Sequence, residues 1–333
     1  MKAVFEKAAR ARGFSRIGVA SAGRSPRFDR YRRWIENGYH ARMAYLEKSL
    51  PVREDPAQLL PGVRSIVVLS RPHPGAPPEA SDGTRTARYA LSSDYHRDLR
   101  RLAEGVVEDV RRQSGAAFAA RVCVDSAPLP ERALAAAAGI GWIGKNGMVM
   151  NAEEGSYFLL AEILTDLELL PDSPVAERCG SCRACLDACP MQAFVAPAVL
   201  DSHRCLSYWT IEQRETIPTD VARKLSGWVF GCDICQEACP YNRAVETGEL
   251  ARQPPALSEL LAAGAGQWRR RFADTPLARA GQAGLRRNAA ALAEATRRGD
   301  LLPALAPLAT AGSAVVAAQA RRAIESLAGT PQP

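Results

Sequence analysis

Residues 179–190 read CGSCRACLDACP, a run in which Cys179, Cys182, Cys185 and Cys189 are spaced by two, two and three residues and closed by Pro190. Thiolates two residues apart on a tight loop reach different irons of one cubane, while the turn before proline carries the fourth cysteine to a neighbouring cluster. The spacing is that of a ferredoxin-like fold with two clusters. A near-copy follows at 232–240, CDICQEACP, without its first cysteine: Val229 stands three residues before Cys232, and Cys205 is the substitute. Exchanged pairing then assigns Cys179, Cys182, Cys185 and Cys239 to one 4Fe-4S cluster, and Cys189, Cys205, Cys232 and Cys235 to the other. A pair of structural zinc sites is the competing use of such CxxC pairs. A disulfide framework is disfavoured, because the opening MKAVFEKAARARGF has neither the apolar core nor the cleavage pattern of an export signal and reads as cytoplasmic.

Outward from the cysteines, 333 residues with 47% hydrophobic and 24% charged composition are ordinary for a soluble protein of two or three domains. No apolar run approaches the roughly 18 residues of a membrane span. The net charge of +7 is uneven: residues 251–333 hold eleven Arg, no Lys and five acidic residues, a net +6. Arginines at 269–271, 286–287, 297–298 and 321–322 suit a phosphate grip as well as a solvated helix face.

Residues 1–165 alternate helical and extended patterns, which predicts a layered α/β domain. Val4–Arg12 reads as a helix closed by Gly13, SRIGVA as a strand, and FDRYRRWIEN as a helix closed by Gly38. SIVVLS (65–70) is a buried strand, 71–83 a Pro- and Gly-rich loop, and 94–113 a long amphipathic helix with Leu99, Leu102, Val106 and Val110 on one stripe. FAARVCV is a strand ending at Asp125, and PERALAAAAG a helix after Pro130. A cluster domain spans 166–245, and an Ala-rich helical region spans 246–333. There LRRNAAALA (285–293) and AAQARRAIE (317–325) align at an offset near 32, the pattern of paired HEAT-type helices or of a plain bundle. Cys123, on an apolar strand, reads as a buried small hydrophobe.

Three segments, RYALSSDYHRDLR (88–100), VDSAPLPERALAAAAGIGWIGKNGMVMN (124–151) and CLSYWTIEQR (205–214), together with the cysteine arrays, resemble epoxyqueuosine reductases, cobalamin-dependent iron-sulfur enzymes of tRNA modification. The resemblance implies an α+β multidomain protein: a cobalamin-binding α/β domain over 1–165, the double-cluster domain, and a HEAT-like region helping to hold tRNA. It implies removal of the epoxide oxygen of epoxyqueuosine at the wobble position, with electrons passing from an external low-potential donor through two 4Fe-4S clusters to cobalamin. A monomer without membrane attachment suffices.

Opening an epoxide to an alkene takes two electrons and two protons, so an acid is required. Asp125, at the end of a strand, is the candidate, and burial beside an apolar ring should raise its pKa. By resemblance, cobalamin contacts fall to Arg53, Arg88, Tyr89, Tyr95, His96, Asp125, Lys145, Asn146, Ser156 and Ser207; the place of 207–214 between cluster ligands assigns tRNA contacts to Gln213 and Arg214, and the arginine-rich tail adds Arg286 and Arg287. An Asp-x-His-x-x-Gly motif is incomplete at Asp94-Tyr95-His96, where Leu99 replaces the glycine, so cobalamin without a histidine ligand is expected. The alternatives are a corrinoid reductive dehalogenase acting on a small molecule, a ferredoxin-type electron-transfer module, and a zinc-stapled RNA-binding protein.

Overall fold

The computed structural model describes residues 1–25, 27–73, 79–243, 245, 252–310 and 312–329. The SIVVLS run lies at the centre of a four-stranded sheet. Ser65–Pro72 pairs with Arg16–Ser21 on one side and Phe158–Thr165 on the other, and Ala120–Cys123 pairs with the far edge of Phe158–Thr165. The expected loop therefore starts after Pro72, and its residues 74–78 lie outside the described set.

The sheet is layered between helices as expected, but each of these pairings is antiparallel. Val19, Val67, Leu69, Ala161 and Ile163 meet Phe5 and Ala8 of the Lys2–Ala11 helix and Leu99, Val106 and Val110 of the Tyr95–Ser114 helix. Ala20, Ile66, Val68, Cys123 and Leu164 face the other way, onto Leu134 and Ala138. Helices on both faces explain why the central strand is apolar throughout rather than alternating. Each such side chain contributes roughly 1.5–3 kcal/mol on burial. Gly18 lets the short helix Glu131–Ala137 sit directly on the sheet: a Cβ there would meet the Ala138 carbonyl oxygen at 2.0 Å. The Tyr95–Ser114 helix is fixed at both ends, by the Asp94 carboxylate accepting from the His96 N–H and by left-handed Gly115.

Each cysteine array carries one short helix, Ala184–Asp187 and Ile234–Glu237, and the two pack together. The segments aligned at an offset near 32 fall in the helices Gly281–Ala295 and Ala314–Ala328, which also pack together. One apolar core joins Leu206, Ile217, Leu225 and Phe230 to Leu260, Leu285, Leu305 and Ala320. The core therefore does not divide at residue 246, which itself lies outside the described residues.

Candidate active site

The cysteine side chains gather into two groups. Burial pushes the thiols of Cys185 and Cys239 up, and each also feels repulsion from Cys179 and Cys182; Cys185 feels Cys239 as well. In the second group, burial raises Cys205, Cys232 and Cys235; Cys205 is repelled by Cys189, Cys232 by Cys205 and Cys189, and Cys235 by Cys232 and Cys205 and also by Cys185 of the first group. Most of these neighbours fall within the sets that exchanged pairing would join, and Cys185 and Cys235 are neighbours across the two sets. Crowded, buried thiols ionise only beside a cation, so the donor set suits a metal cluster. Among the described residues, no three His, Cys, Asp or Glu side chains come close enough to hold one metal ion. Zinc, at about 2.3 Å from each sulfur, would draw its thiolates to a point, whereas a cubane spreads them. The Trp142 indole N–H donates to Cys179 Sγ at 3.5 Å, and Trp142 packs edge-on against Tyr241 at 5.0 Å.

Asp125 follows the strand Ala120–Cys123 in a left-handed conformation, φ +49°, a geometry aspartate tolerates better than most residues. Its Oδ2 lies 2.8 Å from His96 Nε2 and 3.2 Å from the Tyr95 hydroxyl, and His96 Nδ1 lies 2.6 Å from Asp94 Oδ1. Tyr95 and His96 stack, with ring centroids 4.0 Å apart. The His96 contact holds the Asp125 carboxyl below its ordinary range, against the opposing effect of burial. Burial disfavours the His96 imidazolium, yet Asp125 and Asp94 together raise its pKa. The expected upward shift of Asp125 is thus absent. Its side chain is 57% exposed, and a cationic partner outweighs desolvation. Both ring nitrogens of His96 are occupied by carboxylates.

Asp125 opens onto a cavity of about 680 Å³. Tyr31 and Trp34 of the helix Phe28–Glu36 stack along one wall, Arg53 and Glu131 form another, and Asn146 and Leu200 close it from the cluster side. Trp34 Nε1 donates to the Leu200 carbonyl at 2.6 Å, which ties that helix to the cysteine-bearing unit. Arg53 is held over the Tyr31 ring at 5.4 Å and donates to the Leu129 carbonyl at 2.8 Å.

The remaining residues singled out from sequence divide by position. Tyr89 packs edge-on against Tyr95 at 6.1 Å and lies near Phe230, between Asp125 and Asp233 of the second array; burial, then these two carboxylates, raise its pKa. The Arg88 backbone N–H donates to Asp233 Oδ2 at 2.8 Å, and its guanidinium lies 4.4 Å over Tyr157. Lys145 donates to the Gly180 and Cys182 carbonyls at 2.5 and 2.9 Å, bracing the first cysteine loop away from the cavity. Ser156 donates to Gln236 Oε1 at 2.9 Å and so faces the second array, and Ser207 is half-buried in the helix begun by Cys205. Cys123 is buried as expected.

Two of the tRNA expectations need correction. Gln213 is 7% exposed, and its Oε1 accepts from the N–H groups of Arg214 and Glu215 at 2.8 and 3.3 Å, so it stabilises its own turn. Arg287 is 1% exposed and donates to the carbonyls of Gln213, Glu215 and Trp209 and to Asn288 Oδ1; burial pushes its pKa down to about 10. A guanidinium consumed by carbonyls cannot grip phosphate. Arg214 donates to the Arg279 and Ala280 carbonyls at 3.0 and 3.1 Å, and Arg286 to Ala263 at 2.9 Å.

Residues 53–126 match the family model described as "Epoxyqueuosine reductase QueG, DUF1730", and residues 178–242 match "4Fe-4S double cluster binding domain". An epoxyqueuosine reductase of Pseudomonas aeruginosa is 39% identical over 286 residues, covering 81% of this chain and 78% of that one. One from Synechocystis is 38% identical, covering 79% and 93%. The chain belongs to the epoxyqueuosine reductase family. The crystal structure of an epoxyqueuosine reductase with a tRNA-Tyr epoxyqueuosine-modified stem loop superimposes with a TM-score of 0.91 at 30% identity, covering 98% of this chain and 90% of that one.

The epoxyqueuosine reductase match over 53–126 begins at Arg53 on the cavity wall and runs one residue past Asp125. Sequence reasoning missed three residues beside this epoxyqueuosine reductase site. Arg279 forks onto Glu212 at 2.9 and 3.0 Å and lies 5.6 Å over the exposed Tyr45 ring, and both Glu212 and Asp125 act on Tyr45. Glu212 sits in the CLSYWTIEQR segment and was within reach of a sequence reading; Tyr45 and Arg279 are brought in by tertiary packing alone.

Proposed function

We propose that this chain reduces epoxyqueuosine to queuosine at the wobble position of tRNA, with Asp125 delivering a proton and the two cysteine groups each holding a 4Fe-4S cluster. The observation that carries the reading is the Asp94–His96–Asp125 chain at the mouth of a cavity beside the second cysteine group, in a member of the epoxyqueuosine reductase family. The epoxide consumes two electrons and two protons, and its oxygen leaves as water.

The residues fit a cobalamin. The cavity is lined by aromatic rings and arginine, and both nitrogens of His96 are engaged by carboxylates. When bound, cobalamin supplies a metal centre that accepts electrons one at a time. Arg53 and Asn146 would hold it at the wall, with Tyr89, Tyr95 and Arg88 on the side of the second cluster. Cys179, Cys182, Cys185 and Cys239 hold the outer cluster, and Cys189, Cys205, Cys232 and Cys235 the inner one, fed by an external low-potential donor.

Asp125 and His96 carry one proton between them. The raised pKa of His96 favours the imidazolium, whose hydrogen bond Asp125 Oδ2 accepts. A bound nucleoside excludes water from the carboxylate, which favours transfer of that proton to Asp125 and onward to the departing oxygen. Asp94 keeps the ring oriented throughout. On the HEAT-like helical region, Arg269 and Arg270 are exposed and suit contact with the tRNA backbone.

Anaerobic reconstitution with iron, sulfide and cobalamin, followed by mass analysis of epoxyqueuosine-containing tRNA, tests the reading. Loss of one oxygen atom from the nucleoside is expected. An unchanged nucleoside with fully loaded protein would overturn it.

A further inference from the structure

Behind Asp125 lies a second pair of carboxyl groups that the proton path above does not use. Glu162, in the middle of the strand Phe158–Thr165, is 0% exposed, and neither of its carboxyl oxygens meets an N–H or hydroxyl donor. After burial, the neighbouring Glu131 charge does most to raise the pKa of the Glu162 carboxyl. Glu131 opens the short helix that Gly18 lets settle on the sheet, and its Oε1 accepts the backbone N–H of Asp125 at 2.5 Å. Two neighbouring carboxyl groups, one of them wholly buried, resist ionising together, and a buried carboxylate without donors, as Glu162 would be, is strongly disfavoured. Both conditions are met if one proton lies between Glu162 and Glu131.

We infer that Glu131, anchored through a shared proton to buried Glu162, is a positioning residue that grips the Asp125 backbone N–H and holds the left-handed turn, aiming the carboxylate at His96 and the cavity. Glu131 faces inward to Glu162 and outward to the Asp125 amide, so the strand core fixes the height at which the Asp125 loop sits. The left-handed backbone at Asp125, φ +49°, is strained and persists only where neighbours enforce it. Burial, then the neighbouring Asp125 charge, push Glu131 up to about 7, in keeping with a carboxyl pair that retains one proton at neutral pH.

The inference rests on Asp125 being the proton donor, and its test separates the two. Amide hydrogen exchange at Asp125 reads the grip directly, without substrate or cofactor. In Glu131→Ala the Asp125 amide should exchange at least tenfold faster than in the native protein. Glu131→Gln keeps an oxygen for that N–H and an amide donor for Glu162, and should restore protection. In turnover of the reconstituted enzyme, Glu131→Ala should lower kcat on the order of tenfold or more with little change in KM, and Glu131→Gln should recover most of it. Glu162→Leu, which removes the anchor while leaving Glu131 in place, should also speed exchange and serves where Glu131→Ala folds poorly. Native-like protection of Asp125 in Glu131→Ala or Glu162→Leu would overturn the inference, as would Glu131→Gln behaving like Glu131→Ala. Faster exchange with unchanged turnover would also overturn it, because Asp125 would then act without the grip, and the donor role itself is read separately in Asp125→Asn.

Discussion

Changing Arg287 to Ala should unfold the C-terminal core more easily while leaving tRNA affinity nearly unchanged, the reverse of what its place in an arginine-rich tail suggests. The side chain donates to three main-chain carbonyls, those of Trp209, Gln213 and Glu215, and to Asn288 Oδ1, from a position 1% exposed. Hydrogen bonds from a charged donor contribute about 1.5–3 kcal/mol each, and buried acceptors left alone cost about 1–3 kcal/mol. Water entering the space left by the guanidinium would restore part of this. The native state also carries the desolvation cost that lowers the arginine's pKa to about 10, from which the variant is released. A net loss of about 3–5 kcal/mol remains, in the range for breaking a buried charged network. At roughly 2–4 °C per kcal/mol for a domain of this size, the transition should fall on the order of 10 °C. Urea and thermal unfolding followed by tryptophan fluorescence measure it, alongside a salt titration of stem-loop binding. An unchanged midpoint together with weaker binding and a salt slope reduced by about one would return Arg287 to the phosphate contacts and refute the reasoning.

Replacing Asp125 with Asn should keep stem-loop binding and lower turnover by about 10²–10⁴-fold, as for loss of a positioned acid, and normal turnover would remove the role. The same variant should lower the His96 pKa, read by imidazole NMR, because the contact with the Asp125 carboxylate helps to raise it. Stability has a matching pH window. The raised His96 adds stability that is full below about pH 6.5 and fades as pH climbs through its folded pKa. The lowered Asp125 adds stability present above about pH 3.9 and lost as pH falls through its folded pKa, so the native protein's advantage over Asp125→Asn should peak between these limits. Cys205→Ser should leave about half the iron after reconstitution, and full retention would displace Cys205 from the ligand set. Trp142→Phe removes the donor to Cys179 Sγ and should lower the midpoint potential of the outer cluster in a redox titration, since a hydrogen bond to ligand sulfur favours the more negative, reduced form.

The cysteine spacing was legible in the residues themselves, because the separation of ligands on a tight loop is a property of adjacent chain. The same holds for the strand SIVVLS, for the amphipathic helix over 94–113, and for Asp125 as a strand-end carboxylate. Local periodicity and capping need only near neighbours. Whether the sheet is parallel or antiparallel, and what Arg287 and Lys145 touch, depend on elements 35 to more than 70 residues away, as in Arg287 to Gln213 or Lys145 to Gly180. An arginine in a basic tail reads identically whether packing leaves it in water or surrounds it with carbonyls. The pKa of Asp125 was likewise decided by packing: sequence supplied the carboxylate, and the fold brought the His96 imidazole against it, where the attraction exceeds the cost of desolvation.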